Sequence, residues 1–141
     1  MKKNKKISWK KFEIDIKKLI KLIPERRFTK ILAISKGGLI PAYYIAKYLN
    51  IKYIKTFCVS SYNNENEKKK LRILHLQEEK DIRKNWLIID DLVDSGETLE
   101  LAKRFYPFSK TAVLYSKKHS SIKADYCLKE MDGWIVFPWE K

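Results

Sequence analysis

Apolar residues fall along this chain in two kinds of run. Trp9, Phe12, Ile16, Leu19, Ile20 and Ile23 recur at helical spacing, and Lys10, Lys11, Lys17, Lys18 and Lys21 fill the other face. This predicts an amphipathic helix with Ser8 as its N-cap, Ile7 and Phe12 spaced as a hydrophobic staple, and Pro24 ending it. Other runs are continuous: Lys30-Ile-Leu-Ala-Ile-Ser35, Leu87-Ile-Ile89 and Lys110-Thr-Ala-Val-Leu-Tyr115. Short continuous runs suit parallel strands covered on both faces. A further strand is expected at residues 54–59. Leu39, Tyr43, Ala46 and Leu49 predict the inner face of a second helix, and Leu99, Ala102, Phe105 and Tyr106 predict a third. Strands alternating with helices define an α/β protein with a central, mostly parallel sheet.

Between the second helix and the Leu87 strand the pattern lapses. Asn63-Asn-Glu-Asn-Glu-Lys-Lys-Lys70 has no periodicity and reads as a mobile surface loop or a lid. Leu71, Ile73, Leu74 and Leu76 resume an apolar pattern before a polar connection at 77–85. A length of 141 residues favours one domain, 1–141. The net charge of +14, from 31 Lys and Arg against 17 Asp and Glu, points to an anionic partner, although lysines spread along the chain also suit a plain solvated surface. No apolar run approaches the ~20 residues of a membrane span. A cytoplasmic protein is expected. The basic first helix fits cover for the sheet better than a membrane surface, and contact with the inner membrane face is retained only as an addition. Cys58 and Cys127 read as small buried hydrophobes, and His75 and His119, without matching partners, as non-functional.

Candidate chemistry gathers where strands end. Asp90 and Asp91 follow the Leu87 strand at its carboxyl end, the edge at which open α/β sheets bind ligands. Asp94-Ser-Gly-Glu-Thr98 then offers backbone N–H groups, hydroxyls and a positive helix end to an anion. Ser35-Lys-Gly-Gly38 is a second strand-to-helix turn, and glycines there let backbone approach a ligand closely. Neither turn is a Walker A loop or a Gly-x-Gly-x-x-Gly fingerprint. A haloacid-dehalogenase-type phosphatase is excluded, since it needs Asp-x-Asp-x-Thr after its first strand. Two such turns suit a ligand with phosphate at both ends. Lys117 leaves the 110–115 strand on the same edge. Trp134 fits either core packing or a stacking platform.

Asp90-Asp91-Leu-Val-Asp94-Ser-Gly-Glu-Thr98 resembles the phosphoribosyl pyrophosphate motif of type I phosphoribosyltransferases. Ser35-Lys-Gly-Gly-Leu-Ile-Pro41, Ser60-Ser-Tyr62, Lys117 and Trp134-Ile-x-x-Pro-Trp139 resemble the bacterial xanthine-guanine branch of that family. The resemblance implies the family's fold, with a flexible lid at about 61–71 and a base-binding hood at about 117–141. It implies a purine salvage enzyme that moves the 5-phosphoribosyl group from phosphoribosyl pyrophosphate to xanthine, guanine or hypoxanthine. Asp90 and Asp91 would hold the ribose hydroxyls directly or through Mg²⁺. Asp94, Ser95, Gly96, Glu97 and Thr98 would hold the 5′-phosphate; Ser35, Lys36 and Gly37, with Lys68 and Lys69 from the lid, would hold pyrophosphate. Asp94 would also accept the base's imidazole proton, while Lys117, Trp134 and Ile135 would bind the base. Glu97 beside a phosphate requires its side chain to face solvent. The family's peptide before the residue at Lys36 is often cis. A homo-oligomer, dimer or tetramer, is implied, and no nucleic acid is expected. The competing reading, motivated by the charge, is a non-enzymatic RNA-binding regulator on the same fold.

Overall fold

The continuous apolar runs become the buried centre of one sheet. The computed structural model describes residues 4–63, 69–73 and 80–140, and of residues 61–63 and 69–72 the backbone alone. In order these form β1 (Asn4–Lys6), α1 (Trp9–Leu22), β2 (Lys30–Ser35), α2 (Leu39–Leu49), β3 (Tyr53–Asn63) and β4 (Lys69–Ile73). There follow β5 (Trp86–Val93), α3 (Glu97–Phe105), β6 (Lys110–Ser116), β7 (Tyr126–Glu130), β8 (Trp134–Val136) and a closing 3₁₀ turn, Pro138–Glu140. The main sheet has the order β4-β3-β2-β5-β6-β7. Its five strands from β3 to β7 are parallel, and β4 runs antiparallel along the β3 edge.

Helices on both faces explain why β2 and β5 carry no polar alternation. Ile31, Ala33, Leu87 and Ile89 face Phe12, Ile16 and Leu19 of α1 and Ala42 and Ile45 of α2. Leu32, Ile34, Ile88 and Val113 face Leu99 and Ala102 of α3 and the following Tyr106. Five parallel strands flanked by helices are the architecture the apolar pattern predicts.

Ser8 caps α1 by accepting a hydrogen bond from Lys11 N at 3.0 Å. Phe12, Ile16 and Leu19 are buried as expected, and Trp9 at the helix start is half exposed against Phe12 and Trp139. One polar residue departs from the pattern. Asp15 is 1% exposed and accepts hydrogen bonds from Lys11 Nζ at 2.9 Å and from the Tyr115 hydroxyl on β6. Burial, followed by the Asp15 carboxylate, pushes the Tyr115 phenol well above its ordinary pKa.

The face expected for α2 is half right: Ala46 is buried and Leu49 packs against the core. Pro41, Ala42, Ile45 and Ala46 point inward, whereas Leu39 and Tyr43 are 41% and 60% exposed. Apart from Pro41 and Lys47 the helix is apolar or aromatic all round, so its period selects no side, and the small Ala42 and Ala46 permit the closest approach to the sheet. Cys58 and Cys127 are half-buried free thiols rather than fully buried ones, since one lies near the β3 edge and the other on the edge strand β7. The 54–59 strand is longer than expected, extending to Asn63 and returning as β4 with Asn63 opposite Lys69. Residues 64–68, including Lys68, His75 and the side chain of Lys69 lie outside the described residues. Among the described residues no helix is long and apolar enough to cross a membrane.

β1 and β8 form a separate parallel pair, with Asn4 opposite Trp134 and Lys6 opposite Val136. It is tied to the main body by an aromatic stack. Phe137 lies parallel to Trp139, with centroids 4.8 Å apart, and to Tyr115 at 5.9 Å. Asp15 joins α1 to the same stack through Tyr115. Asp15→Ala should therefore cost about 2–3 kcal/mol, the scale of a buried hydrogen bond to a charged group, and a urea unfolding midpoint lowered at unchanged slope is the expected result.

Candidate active site

Adjacent parallel strands place two turns side by side. β2 and β5 are in register, with Ala33 opposite Ile89, so the turn after Ser35 comes to lie beside Asp90 and Asp91. The Ser35–Lys36 peptide is cis. Gly37 then passes so near β5 that a Cβ added to it would lie 2.5 Å from an Asp91 carboxylate oxygen. A side chain fits there only if the Asp91 carboxylate moves. Both acids are 9% exposed, and Asp91 N donates to Asp90 Oδ1 at 2.8 Å.

Burial beside a like charge governs this pair. Burial and then the charge of Asp91 hold the Asp90 pKa well above the carboxylate range. Burial likewise pushes Asp91 up to about 6, opposed by its hydrogen bond with Asp90 and reinforced by Glu140. A cavity of about 320 Å³ opens over them, walled by Ser35, Gly37, Ser60, Thr98 and Glu140. A smaller one of about 110 Å³ adjoins it, between Asp90 and the Asp94, Ser95, Gly96 and Thr98 turn.

That second turn opens α3. Gly96 has a φ of +98°, and an added Cβ would lie 2.7 Å from both Ser121 Oγ and Ile122 Cγ2. The turn is thus closed from behind by the loop that follows β6. Ser121 N donates to Ser95 O at 2.7 Å, and Lys117 N donates to Val93 O at 2.9 Å. Glu97 is exposed, and its N–H donates to Ser95 Oγ at 3.3 Å. Its side chain thus faces solvent, as expected.

The structure brings Ser35, Gly37, Asp90, Asp91, Asp94, Ser95, Gly96 and Thr98 to the two adjoining cavities; Lys36 is exposed beside them. Lys117, Trp134 and Ile135 do not line either cavity. Lys117 is 9% exposed and Ile135 is buried at 5%, leaving the Ile135 backbone as its polar feature, while the Trp134 ring is 66% exposed. Two further residues reach the site unannounced by any local pattern. Glu140 enters the cavity wall from the closing turn. His119, expected to lack a partner, has Nε2 2.9 Å from Asp94 Oδ1.

A hard divalent cation fits Asp90 and Asp91, since Mg²⁺ is commonly held by one or two carboxylates together with substrate phosphates and water. Among the described residues no group of three or more His, Cys, Asp or Glu could hold a metal ion. Substrate oxygens would have to complete its shell.

Two phosphate-suited turns flanking a carboxylate pair at the carboxyl edge of a parallel sheet define a phosphoribosyltransferase-type site. Residues 7–140 match the phosphoribosyl transferase domain, and the chain belongs to that family. It is 38% identical over 137 residues to the xanthine-guanine phosphoribosyltransferase of Desulfotalea psychrophila, covering 95% of this chain and 84% of that one. The enzyme of the same name from Chromohalobacter salexigens is 35% identical over 139 residues, covering 95% and 82%. The solved purine phosphoribosyltransferase of Pyrococcus horikoshii superposes with a TM-score of 0.84 at 29% identity, covering 98% of this chain and 94% of that one.

The raised acids make stability depend on pH. Below about pH 4 folded and unfolded chains both carry the proton on Asp91; between about 4 and 6 the unfolded chain loses it first, so stability falls as pH rises through about 6. Asp91→Asn should remove that fall and gain on the order of 3 kcal/mol at pH 7.5 without ligand or metal, read as a higher melting temperature whose advantage vanishes near pH 4. Gly37→Ala should instead displace Asp91, and loss of phosphoribosyl pyrophosphate binding by calorimetry with the fold retained by circular dichroism is expected.

Proposed function

We propose that this chain is a purine salvage enzyme that transfers the 5-phosphoribosyl group from phosphoribosyl pyrophosphate to a 6-oxopurine, with release of pyrophosphate. The observation that carries the reading is the buried Asp90–Asp91 pair facing a cavity shared by two phosphate-suited turns. The xanthine-guanine phosphoribosyltransferase relatives support the same substrate class.

In this reading the C–N bond to the base forms as the anomeric C–O bond to pyrophosphate breaks. Positive charge grows on the ribose ring and negative charge on the leaving group. Asp90 and Asp91 hold the ribose hydroxyls, and a carboxylate in this buried pair favours the cationic ring. Backbone N–H groups and hydroxyls from Ser95 to Thr98 seat the 5′-phosphate at the N-terminus of α3. Ser35, Lys36 and Gly37 hold pyrophosphate, assisted by Lys68 and Lys69 from a lid that excludes water from the reacting centre. Asp90 and Asp91 would hold Mg²⁺, which would supply charge neutralisation to the phosphates. Asp94 accepts the imidazole proton of the base and so raises the nucleophilicity of the attacking nitrogen. The Lys117 ammonium donates to the 6-oxo oxygen, a bond adenine's 6-amino group cannot accept. Trp134 stacks on the ring, as its open face permits, and the Ile135 backbone reads the exocyclic position.

The exposed Leu39 and Tyr43 on α2 support a homo-oligomer. Substrates of this kind fit a cytoplasmic enzyme, and the lysine face of α1 supports contact with an anionic membrane surface as an addition. The RNA-binding regulator finds no support among the relatives.

Incubation with Mg²⁺, phosphoribosyl pyrophosphate and each of guanine, xanthine, hypoxanthine and adenine tests the reading. Nucleotide should form with an oxopurine and not with adenine, and absence of product with every oxopurine would overturn it. Asp94→Asn should keep phosphoribosyl pyrophosphate binding and lose turnover by about 100-fold or more, the scale of a general base.

A further inference from the structure

Asp94 lies open to solvent at this edge, and it is not alone there. His119 Nε2 stands 2.9 Å from its Oδ1, with the two side chains 62% and 67% exposed. A carboxylate oxygen accepts, so the imidazole Nε2–H is the donor in this contact. Asp94 Oδ2 receives no hydrogen bond from the imidazole.

The loop carrying His119 does not depend on this contact for its place. Lys117 N is bonded to Val93 O at 2.9 Å, Ser120 N to Lys117 O at 3.2 Å, and Ser121 N to Ser95 O at 2.7 Å. Ser121 Oγ lies 2.9 Å from Ser95 O and 2.8 Å from Glu100 Oε1. Five contacts therefore anchor the loop on both sides of His119 to β5, the turn after it and α3, or close the loop on itself, and the imidazole adds its bond to Asp94 beyond them.

We propose that His119 is a positioning residue for the transfer reaction, fixing the Asp94 carboxylate so that Oδ2 faces the base. The inference rests on Asp94 as acceptor of the imidazole proton. As the base nitrogen bonds to the anomeric carbon and the C–O bond to pyrophosphate breaks, the proton on the other imidazole nitrogen moves to Asp94 Oδ2. It passes to water after the nucleotide leaves, and no electron is gained or lost. His119 takes no proton in this step. Its contribution is geometric, because a carboxylate this exposed otherwise spreads over several rotamers and dilutes the productive one by up to about tenfold.

The test uses the full chain with Mg²⁺, phosphoribosyl pyrophosphate and its best oxopurine. His119→Ala should lower kcat about tenfold and leave the KM for phosphoribosyl pyrophosphate within about twofold. His119→Gln, whose amide N–H reaches the same oxygen, should recover most of the loss. In an Asp94→Asn background His119→Ala should cost nothing further, because there is no longer a carboxylate to hold. A merely structural role would give additive losses and a raised KM for both substrates, and that result overturns the inference. So does wild-type kcat in His119→Ala when Asp94→Asn is crippled. Full turnover in Asp94→Asn would instead remove Asp94 as the acceptor, and the role of His119 with it.

Discussion

Two neighbouring carboxylates held at the end of a buried strand are the constraint around which this molecule is arranged. Asp90 and Asp91 sit where β5 leaves the apolar interior, and they repel one another in a medium that screens charge poorly. Such a pair is tolerable in a stable protein only because the sheet beneath it is buried on both faces and supplies the compensating free energy. The arrangement stores affinity for positive charge. A cation, or a sugar ring acquiring cationic character, favours the charged form that burial otherwise disfavours.

The neighbouring elements follow from serving that pair. Gly37 has no side chain because Asp91 occupies the space it would need, so the turn after β2 and the end of β5 interlock. Gly96 has the same relation to the loop after β6, where Ser121 and Ile122 close the back of the phosphate turn. Three consecutive parallel strands in space, β2, β5 and β6, thus deliver three loops to one edge, and each loop is pinned by its neighbour. The two turns are closely packed against their neighbours, whereas the Trp134 ring lies open.

Burial on both faces erases polar alternation, which is why β2, β5 and β6 could be read directly from their runs. Acids and glycines at the ends of those runs were equally readable, since a carboxylate or a glycine pair at the carboxyl edge of a strand has few structural uses. The inward face of α2 was not, because a helix apolar nearly all round leaves its orientation to side-chain size. Asp15 was hidden for a different reason: a polar residue in the first helix looks solvent-facing until Tyr115, a hundred positions away, closes over it. Glu140 and His119 reach the site only through the packing of the closing turn and the loop after β6, and no local spacing encodes such an approach. Their signal exists in three dimensions alone.

The pairing of β1 with β8 has a consequence for how the protein comes into being. Its two strands lie near opposite ends of the chain, Asn4 beside Trp134, whereas the phosphate-suited turns each form within a short strand-turn-helix segment. Joining distant segments carries a loop-closure cost that local turns escape. During synthesis the two strand-to-helix turns can therefore take shape while the shelf carrying Trp134 is still missing, and the pairing that steadies that shelf must wait until β8 has emerged. The carboxyl edge of the sheet would be assembled before the terminal shelf beside it.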